Sequence, residues 1–308
     1  MSGSWNYHLS GVEWEALAEQ LRRHLHGARR FGVLRATPGH VVVVAHYDGT
    51  PRTVEPFVVE VDGVRLTIEV HARRRSASPP SAKGIAAFTG LHPGAAIAAR
   101  VSASTSELGG VALLLEPRDG DGNPTHFLTC GHLFPPHAGG VAVFAARASS
   151  AKRLHVGTLV RNLLDAGNEP QRDVAVVALT PDGVAMALEG GPGPVIADYL
   201  PADDVFSQEA RAFQPTRGAY SSTVHTIGPF SEHVDAPLWP GGFDINGVVG
   251  TDAPVSELGD SGTILTTLDD PAIAVGVCTA SDGDTSLFEP VGRALRAIAT
   301  MELQLWTT

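Results

Sequence analysis

The chain has few cysteines and no long apolar run, and each shortage excludes a class of protein. Two cysteines in 308 residues are too few for a disulfide-stabilised scaffold and favour a reducing compartment. The longest apolar runs, such as residues 41–45, fall far below the ~18 residues that a membrane-spanning helix needs. Residues 1–7 show no basic stretch leading into an apolar one, so no secretory signal is predicted. We therefore expect a cytoplasmic protein that does not associate with membranes.

Positive charge is also scarce, and lysine is nearly absent. Lys83 and Lys152 are the two lysines among 22 cationic residues, and 33 carboxylates leave a net charge of −11. Such a balance disfavours nucleic acid as a partner. No glycine-rich loop followed by lysine is present to hold a phosphate, and His24 and His26 lie two apart on a predicted helix, facing different sides. The sequence therefore predicts neither a cofactor nor a metal site.

The first quarter of the chain has the pattern of a small α+β module. Apolar residues recur at helical spacing over residues 13–30. Strands are predicted at residues 40–47, 56–61 and 64–70, the last two joined by a tight Asp-Gly turn. A basic and then Pro/Ser-rich stretch follows, so we assign residues 1–75 to an N-terminal module and 76–90 to a linker. The module carries no chemical motif; autoinhibition, self-association and recruitment of a partner remain open.

The rest of the chain, residues 91–308, changes to short β-like runs separated by turn residues. Strands this numerous, with no helical spacers, favour an antiparallel sandwich or a pair of barrels. One late helix is predicted at residues 291–303. The predicted strands are residues 111–115, 125–129, 141–145, 174–179, 224–227, 245–249, 263–267 and 273–278.

Three short motifs stand out in this region. They are Thr-Cys-Gly-His ending at His132, Asp-Val-Ala-Val-Val-Ala-Leu beginning at Asp173, and Gly-Asp-Ser-Gly around Ser261. Each alone has an ordinary interpretation as a loop or turn. Together, in the order His, Asp, Ser, they resemble the chymotrypsin/trypsin-like serine peptidases of bacterial type, and this order differs from that of subtilisins and α/β-hydrolases.

The resemblance covers residues 91–308 and implies a mostly β fold, a chymotrypsin-like double β-barrel with a C-terminal helix, here preceded by the N-terminal module. It implies that His132 is the general base, that Asp173 orients it and that Ser261 is the nucleophile. It also implies an oxyanion hole formed by the backbone N–H groups of Gly259 and Ser261. Asp260 would brace this loop through an ion pair or hydrogen bonds.

The same resemblance places a specificity pocket beside the nucleophile. Val255, six residues before Ser261, would form its floor and be followed by Ser256. Because a buried guanidinium needs an anionic partner, a valine floor predicts poor cleavage after basic residues and a preference for small-to-medium apolar ones. Glu257, Asp282 or Asp284 could supply an anion instead. The opposite wall would come from Thr279, Ser281 and Ser286.

The sequence departs from the family pattern at two places. Gly262 is followed by Thr-Ile where relatives have Gly-Pro, and Cys130 replaces the usual alanine before the histidine. For Cys130, a buried free thiol, a disulfide with Cys278 and a redox switch all remain open. We expect a serine endopeptidase acting on a protein or peptide substrate. The alternatives are a catalytically inactive binding module with the protease fold and an esterase using the same triad.

Overall fold

The protein is mostly β, as its computed structural model shows. Residues 13–75, 87–88, 90–120, 122–146, 153–165 and 171–307 are described. Most of the predicted linker, residues 76–86 and 89, lies outside these ranges. None of the helices formed by the described residues has the length and apolarity to cross a bilayer.

The N-terminal module consists of one helix packed on a four-stranded sheet. Helix α1 buries Trp14, Leu17 and Leu21 against the sheet. The helix is shorter than predicted, because the chain turns at Gly27, whose φ of +81° suits glycine, and then enters a strand that the periodicity had merged with the helix. The elements are α1 (Trp14–His24), β1 (Arg30–Thr37), β2 (His40–Tyr47), β3 (Phe57–Val61) and β4 (Val64–Arg74).

The first barrel, β5–β11, holds the histidine and aspartate motifs. Its strands follow the order β7-β8-β11-β10-β9-β5-β6. Strand β6 leads into β7 through Val111 and Ala112, so this stretch pairs with β5 at its start and with β8 at its end, which closes the barrel. Its elements, with the helix that follows, are β5 (Ala96–Arg100), β6 (Ser106–Gly110), β7 (Leu113–Pro117), β8 (His126–Thr129), β9 (Ala142–Ala146), β10 (Arg153–Asn162), β11 (Ala175–Leu179) and α2 (Pro181–Glu189).

The second barrel, β13 with β15–β19, holds the serine motif. Its strands follow the order β13-β17-β18-β19-β16-β15, and β15 pairs back with β13, which closes the barrel. The predicted double β-barrel is therefore confirmed. The elements are β12 (Ile196–Tyr199), β13 (Glu209–Gln214), β14 (Ala219–Tyr220), β15 (Val224–Ala236), β16 (Trp239–Thr251), β17 (Ile264–Thr267), β18 (Ala272–Ser281) and β19 (Ser286–Pro290).

The C-terminal helix is present but shorter than predicted. Helix α3 (Val291–Ala297) is followed by a 3₁₀ turn, and Glu302 adopts a left-handed conformation that reverses the chain. Strand β20 (Leu303–Leu305) then pairs with β7 of the first barrel, so Leu303 completes a sheet instead of continuing the helix.

The N-terminal module continues the sheet of the second barrel. Strand β1 pairs antiparallel with β15, Arg30 lying opposite Glu232 and Gly32 opposite Phe230. Strands β15 and β16 form a long hairpin that extends beyond the barrel, and this extension is what β1 pairs with. The module thus contacts the element that borders the candidate site.

Candidate active site

His132 lies in a 3₁₀ turn directly after β8. Because β8 pairs with β11, with Thr129 opposite Ala175, the turn brings His132 next to Asp173 at the start of β11. Gly131 allows this close approach, since a Cβ there would lie 2.5 Å from an Asn162 side-chain oxygen. Strand pairing alone therefore brings two motifs 41 residues apart into contact.

Asp173 is completely buried and makes two hydrogen bonds to His132. Its Oδ1 accepts the backbone N–H of His132 at 2.8 Å, and its Oδ2 accepts Nδ1–H of the imidazole at 2.7 Å. These bonds fix the ring orientation and place the lone pair of the neutral imidazole on Nε2.

Ser261 faces that lone pair from the second barrel. Its Oγ lies 3.0 Å from His132 Nε2, a distance at which the hydroxyl donates to the imidazole. The loop is held from both barrels: Gly110 N–H donates to Ser261 O, and Gly262 N–H donates to Cys278 O, each at 2.8 Å. Ser261 therefore lies where the two barrels meet.

The electrostatics of His132 are dominated by two opposing effects. Burial alone would lower the pKa of the imidazole, but the Asp173 carboxylate and its hydrogen bond outweigh burial and raise the pKa well above its ordinary value of 6.5. Burial raises the pKa of the Cys130 thiol, whose Sγ lies 3.7 Å from His132 Nε2. A thiol that stays protonated adds little charge, so Asp173 is the cause that matters.

Asp260 has partners that sequence reasoning did not identify. Its Oδ1 accepts the hydroxyl of Thr216 at 2.8 Å and the backbone N–H of Thr216 at 3.2 Å, while its Oδ2 accepts Glu257 N–H at 3.1 Å. Burial raises the pKa of this carboxyl, and the three donors offset part of that effect. Hydrogen bonds therefore brace the loop that carries Ser261.

The two N–H groups expected to form an oxyanion hole lie on this loop. Gly259 has φ of +100°, a conformation that side chains disfavour. Among the described residues, no acceptor receives a hydrogen bond from the backbone N–H of Gly259 or of Ser261. Both donors therefore remain available to a further acceptor.

A cleft of about 150 Å³ opens beside Ser261 and His132. Ser256, Thr279 and Ser281, three of the residues expected in a specificity pocket, line it. Val255 does not: its side chain packs in the apolar core of the second barrel, and its carbonyl accepts the amide of Gln214. Ser286 also lies behind the wall, fully buried, with its Oγ 2.8 Å from Ser256 Oγ and 3.0 Å from Ser281 Oγ.

The carboxylates that could have supplied an anion to this cleft have other partners. Glu257 lines the cleft but accepts a hydrogen bond from Arg217 Nε at 2.9 Å. Asp282 is buried and points to Arg30, whose Nη1 lies 3.0 Å away. Asp284 is not among the residues that line the cleft, and its backbone N–H donates to Asp282 Oδ1 at 2.8 Å.

Neither cysteine forms a disulfide: Cys130 and Cys278 are both free and buried. Cys130, His132 and Asp173 are the group of possible metal ligands found among the described residues, with ligand atoms within 4.8 Å of one another. His132 directs Nδ1 to Asp173 and Nε2 to Ser261, so the three side chains could converge on one ion only by breaking those hydrogen bonds. The arrangement suits proton transfer better than metal binding.

Several residues at the site carried no recognisable signal in the sequence. The Phe243 ring stacks near His132 with centroids 6.1 Å apart, and Trp239 packs edge-on against Phe243. Arg75 reaches the cleft from the N-terminal module. A larger cavity of about 230 Å³, lined by Leu114, Trp306 and others, contains none of the three motif residues.

No protein-family model and no curated protein matches the chain. Among solved structures it is similar to Thermobifida fusca protease A, with 16% identity and a TM-score of 0.44 over 71% of this chain and 99% of that one. Nocardiopsis protease has 17% identity and a TM-score of 0.45, over 70% of this chain and 99% of that one. Cellulomonas bogoriensis chymotrypsin has 18% identity and a TM-score of 0.43, over 71% of this chain and 99% of that one. At these identities the similarities assign no activity.

Proposed function

We propose that the protein is a serine endopeptidase that hydrolyses peptide bonds through an acyl-enzyme intermediate. The observation that carries the proposal is the continuous hydrogen-bonded line from Asp173 through His132 to Ser261, with distances of 2.7 and 3.0 Å. A serine hydroxyl is a poor nucleophile at neutral pH and needs an adjacent oriented base. In the proposed mechanism His132, oriented by Asp173, is that base.

In the proposed acylation, Ser261 Oγ attacks the peptide carbonyl carbon while its proton passes to His132 Nε2. The carbonyl π electrons move to the oxygen, and the free N–H groups of Gly259 and Ser261 donate to the resulting oxyanion. Asp173 stabilises the imidazolium. The tetrahedral intermediate then collapses, the C–N bond breaks, and His132 returns the proton to the leaving amine.

Deacylation repeats these roles with water as the nucleophile. His132 takes a proton from water as the water oxygen attacks the acyl carbon, and the ester bond to Ser261 breaks with the proton returned to Oγ. No external oxidant or cofactor is needed for this cycle, because every proton moves between the substrate, water and these side chains.

The test is to replace the nucleophile. Ser261→Ala should lose fluorophosphonate labelling and peptide hydrolysis, by about 10⁶-fold in kcat if the triad acts as comparable triads do. Circular dichroism of the variant should match the native protein. Labelling of the native protein combined with cleavage of esters but not of any peptide would favour the esterase alternative. Absence of labelling in the native protein would favour an inactive binding module, and turnover retained in the variant would reject Ser261.

A further inference from the structure

The cleft beside Ser261 is completed by a residue outside the two barrels. Most of its lining comes from the nucleophile loop, strand β18 and the β15–β16 hairpin. Arg75, which directly follows β4 of the N-terminal module, lines the same cleft. A module with no chemical motif therefore contributes a cation to the surface that a peptide would contact.

Arg75 is fixed at both its backbone and its side chain. Its backbone N–H donates to Tyr47 O at 2.8 Å, and its Nη2 donates to Glu232 Oε1 at 2.9 Å. Its guanidinium also lies 3.8 Å from Asp48 and 3.9 Å from Asp282. A side chain held at this many points is preorganised, which lowers the entropy cost of using it to bind.

The partners of Arg75 form a buried platform. The Arg30 guanidinium lies 2.7 Å from Glu232 and 3.0 Å from Asp282, and all three side chains are completely buried. Arg75, with 22% of its side chain exposed, is the member of this cluster at the cleft. Two arginines balance two carboxylates, so the platform holds Arg75 without an unpaired buried charge.

The guanidinium retains donor capacity, since its Nη1 and Nε lie 3.8 and 3.9 Å from Asp48 and Asp282, beyond hydrogen-bond distance. It has five N–H groups, and within the described part of the chain its hydrogen bond to Glu232 uses one of them. The planar fork presents the others in fixed directions, a geometry suited to oxygen acceptors.

We propose that Arg75 is a substrate-binding residue, which donates hydrogen bonds to an oxygen acceptor of the bound peptide, either a backbone carbonyl or a side-chain carboxylate. The N-terminal module is then part of the substrate site, and the module and barrels act as one unit. This inference rests on the proposed peptidase function and names the residue through which the module takes part in it.

The decisive comparison is Arg75→Met against Arg74→Met. Arg74 is the adjacent arginine, is exposed and does not line the cleft, so it controls for loss of a positive charge at this position of the chain. With extended fluorogenic peptides, Arg75→Met should raise KM about 10- to 100-fold, the range expected for a lost hydrogen bond to a charged group, with a smaller change in kcat. Arg74→Met should stay within about twofold of the native protein.

Matched peptides that carry glutamate or glutamine at each position identify the acceptor. If Arg75→Met raises KM for one glutamate peptide alone, the acceptor is a carboxylate. If it raises KM equally for every peptide of the series, the acceptor is a backbone carbonyl. Both results support the proposal. Equal KM values for the two arginine variants would overturn it. A fall in the rate of fluorophosphonate labelling as large as the fall in kcat/KM would also overturn it, because that pattern reports a distorted triad.

Two controls keep the test decisive. If Arg75→Met does not fold, Arg75→Lys serves instead, because it keeps a charge beside Glu232 but removes the planar fork. We expect it to raise KM as well, by a smaller factor. The native protein distinguishes failure of the proposed function itself. A native protein that neither labels nor cleaves refutes the peptidase assignment, whereas a native protein that cleaves peptides while its two arginine variants behave alike refutes the role of Arg75 only.

Discussion

Cys130 illustrates how a single residue at this site departs from expectation without changing the chemistry. Its thiol lies 3.7 Å from the nitrogen that faces Ser261, and burial raises its pKa. A protonated thiol neither competes as a nucleophile nor adds charge beside the base. The pKa of His132 is therefore governed by the carboxylate of Asp173, which is the residue to perturb.

Asp173→Asn should change both the rate and its pH dependence. The carboxylate raises the pKa of His132, and the neutral imidazole is the form that accepts a proton, so native activity should rise as pH increases through a midpoint well above 6.5. In the variant burial acts unopposed, so the midpoint should move to lower pH. The rate should also fall by about 10⁴-fold, as in comparable triads.

The measurement is kcat/KM for one peptide from pH 5 to pH 10, for both proteins. Asp165→Asn is a suitable control, because this carboxylate accepts a hydrogen bond from His137 N–H and lies outside the triad. A midpoint that stays in place when Asp173 is replaced would show that another group sets the pKa of the base.

Substrate preference at the residue before the cut should follow from the lining of the cleft. Ser256, Thr279 and Ser281 present small polar surfaces, and the two carboxylates that line the cleft among the described residues are paired, Glu257 with Arg217 and Asp235 with Arg29. A guanidinium or ammonium group would lack a free anionic partner there, and a desolvated charge without one is costly. Peptides with alanine, valine or leucine at that position should exceed those with arginine or lysine in kcat/KM. The reverse order would indicate that Glu257 or Asp235 leaves its arginine to bind substrate.

At the scale of elements, β1 and β2 place a buried histidine beside a buried ion-pair cluster. His46 lies opposite Arg30 in the β1–β2 ladder, and its Nδ1 has no hydrogen-bond partner among the described residues. Burial, followed by the charge of Arg30, lowers the pKa of His46 to about 4. Because the unfolded chain binds this proton at pH values near 6.5, the folded state loses stability as pH falls from 6.5 toward 4.

Native protein should therefore lose about 2 kcal/mol of unfolding free energy between pH 7 and pH 5 from this one group. His46→Gln should flatten that part of the profile, whatever its effect at neutral pH. His71→Gln, which alters an exposed histidine of the same module, should leave the slope unchanged. Urea unfolding at the two pH values measures this, and equal slopes for native protein and His46→Gln would contradict the explanation.

Elements whose signals are local were predictable, and those stabilised by distant partners were not. The hairpin at Asp62-Gly63 and the three motifs that contain His132, Asp173 and Ser261 carry their information within a few residues. Strand β1 begins at Arg30, whose charge is typical of the exposed surface of a helix. Its buried position depends on Glu232, a partner 202 residues away in sequence. Likewise, Asp260 depends on Thr216, 44 residues earlier, and the position of Arg75 at the cleft depends on the β1–β15 pairing. No periodicity encodes such contacts.

For the whole molecule, the joint between module and second barrel rests on a tight contact. Gly32 faces Phe230, and a Cβ at Gly32 would lie 2.3 Å from the buried Phe230 ring. Gly32→Ala should therefore push β1 and β15 apart locally and cost roughly 1–3 kcal/mol. It should also raise KM for extended peptides, because Arg75 is carried by the same module.

Gly49→Ala is the matched control, since nothing lies within 4 Å of a Cβ at that position of the module. Thermal unfolding and peptide kinetics on the two variants test the joint. A Gly32→Ala protein as stable and as active as Gly49→Ala would show that the interface adapts to the extra methyl group.

The pairing of β20 with β7 has a consequence for the order of folding. Gln304 contacts Glu116 across 188 residues of sequence, and the indole N–H of Trp306 donates to Gly122 O at 2.7 Å. On a ribosome, the first barrel is synthesised long before the strand that covers the edge of its β7. An uncovered edge strand can pair with other chains, so nascent first barrels are expected to depend on chaperones until residues 303–306 emerge.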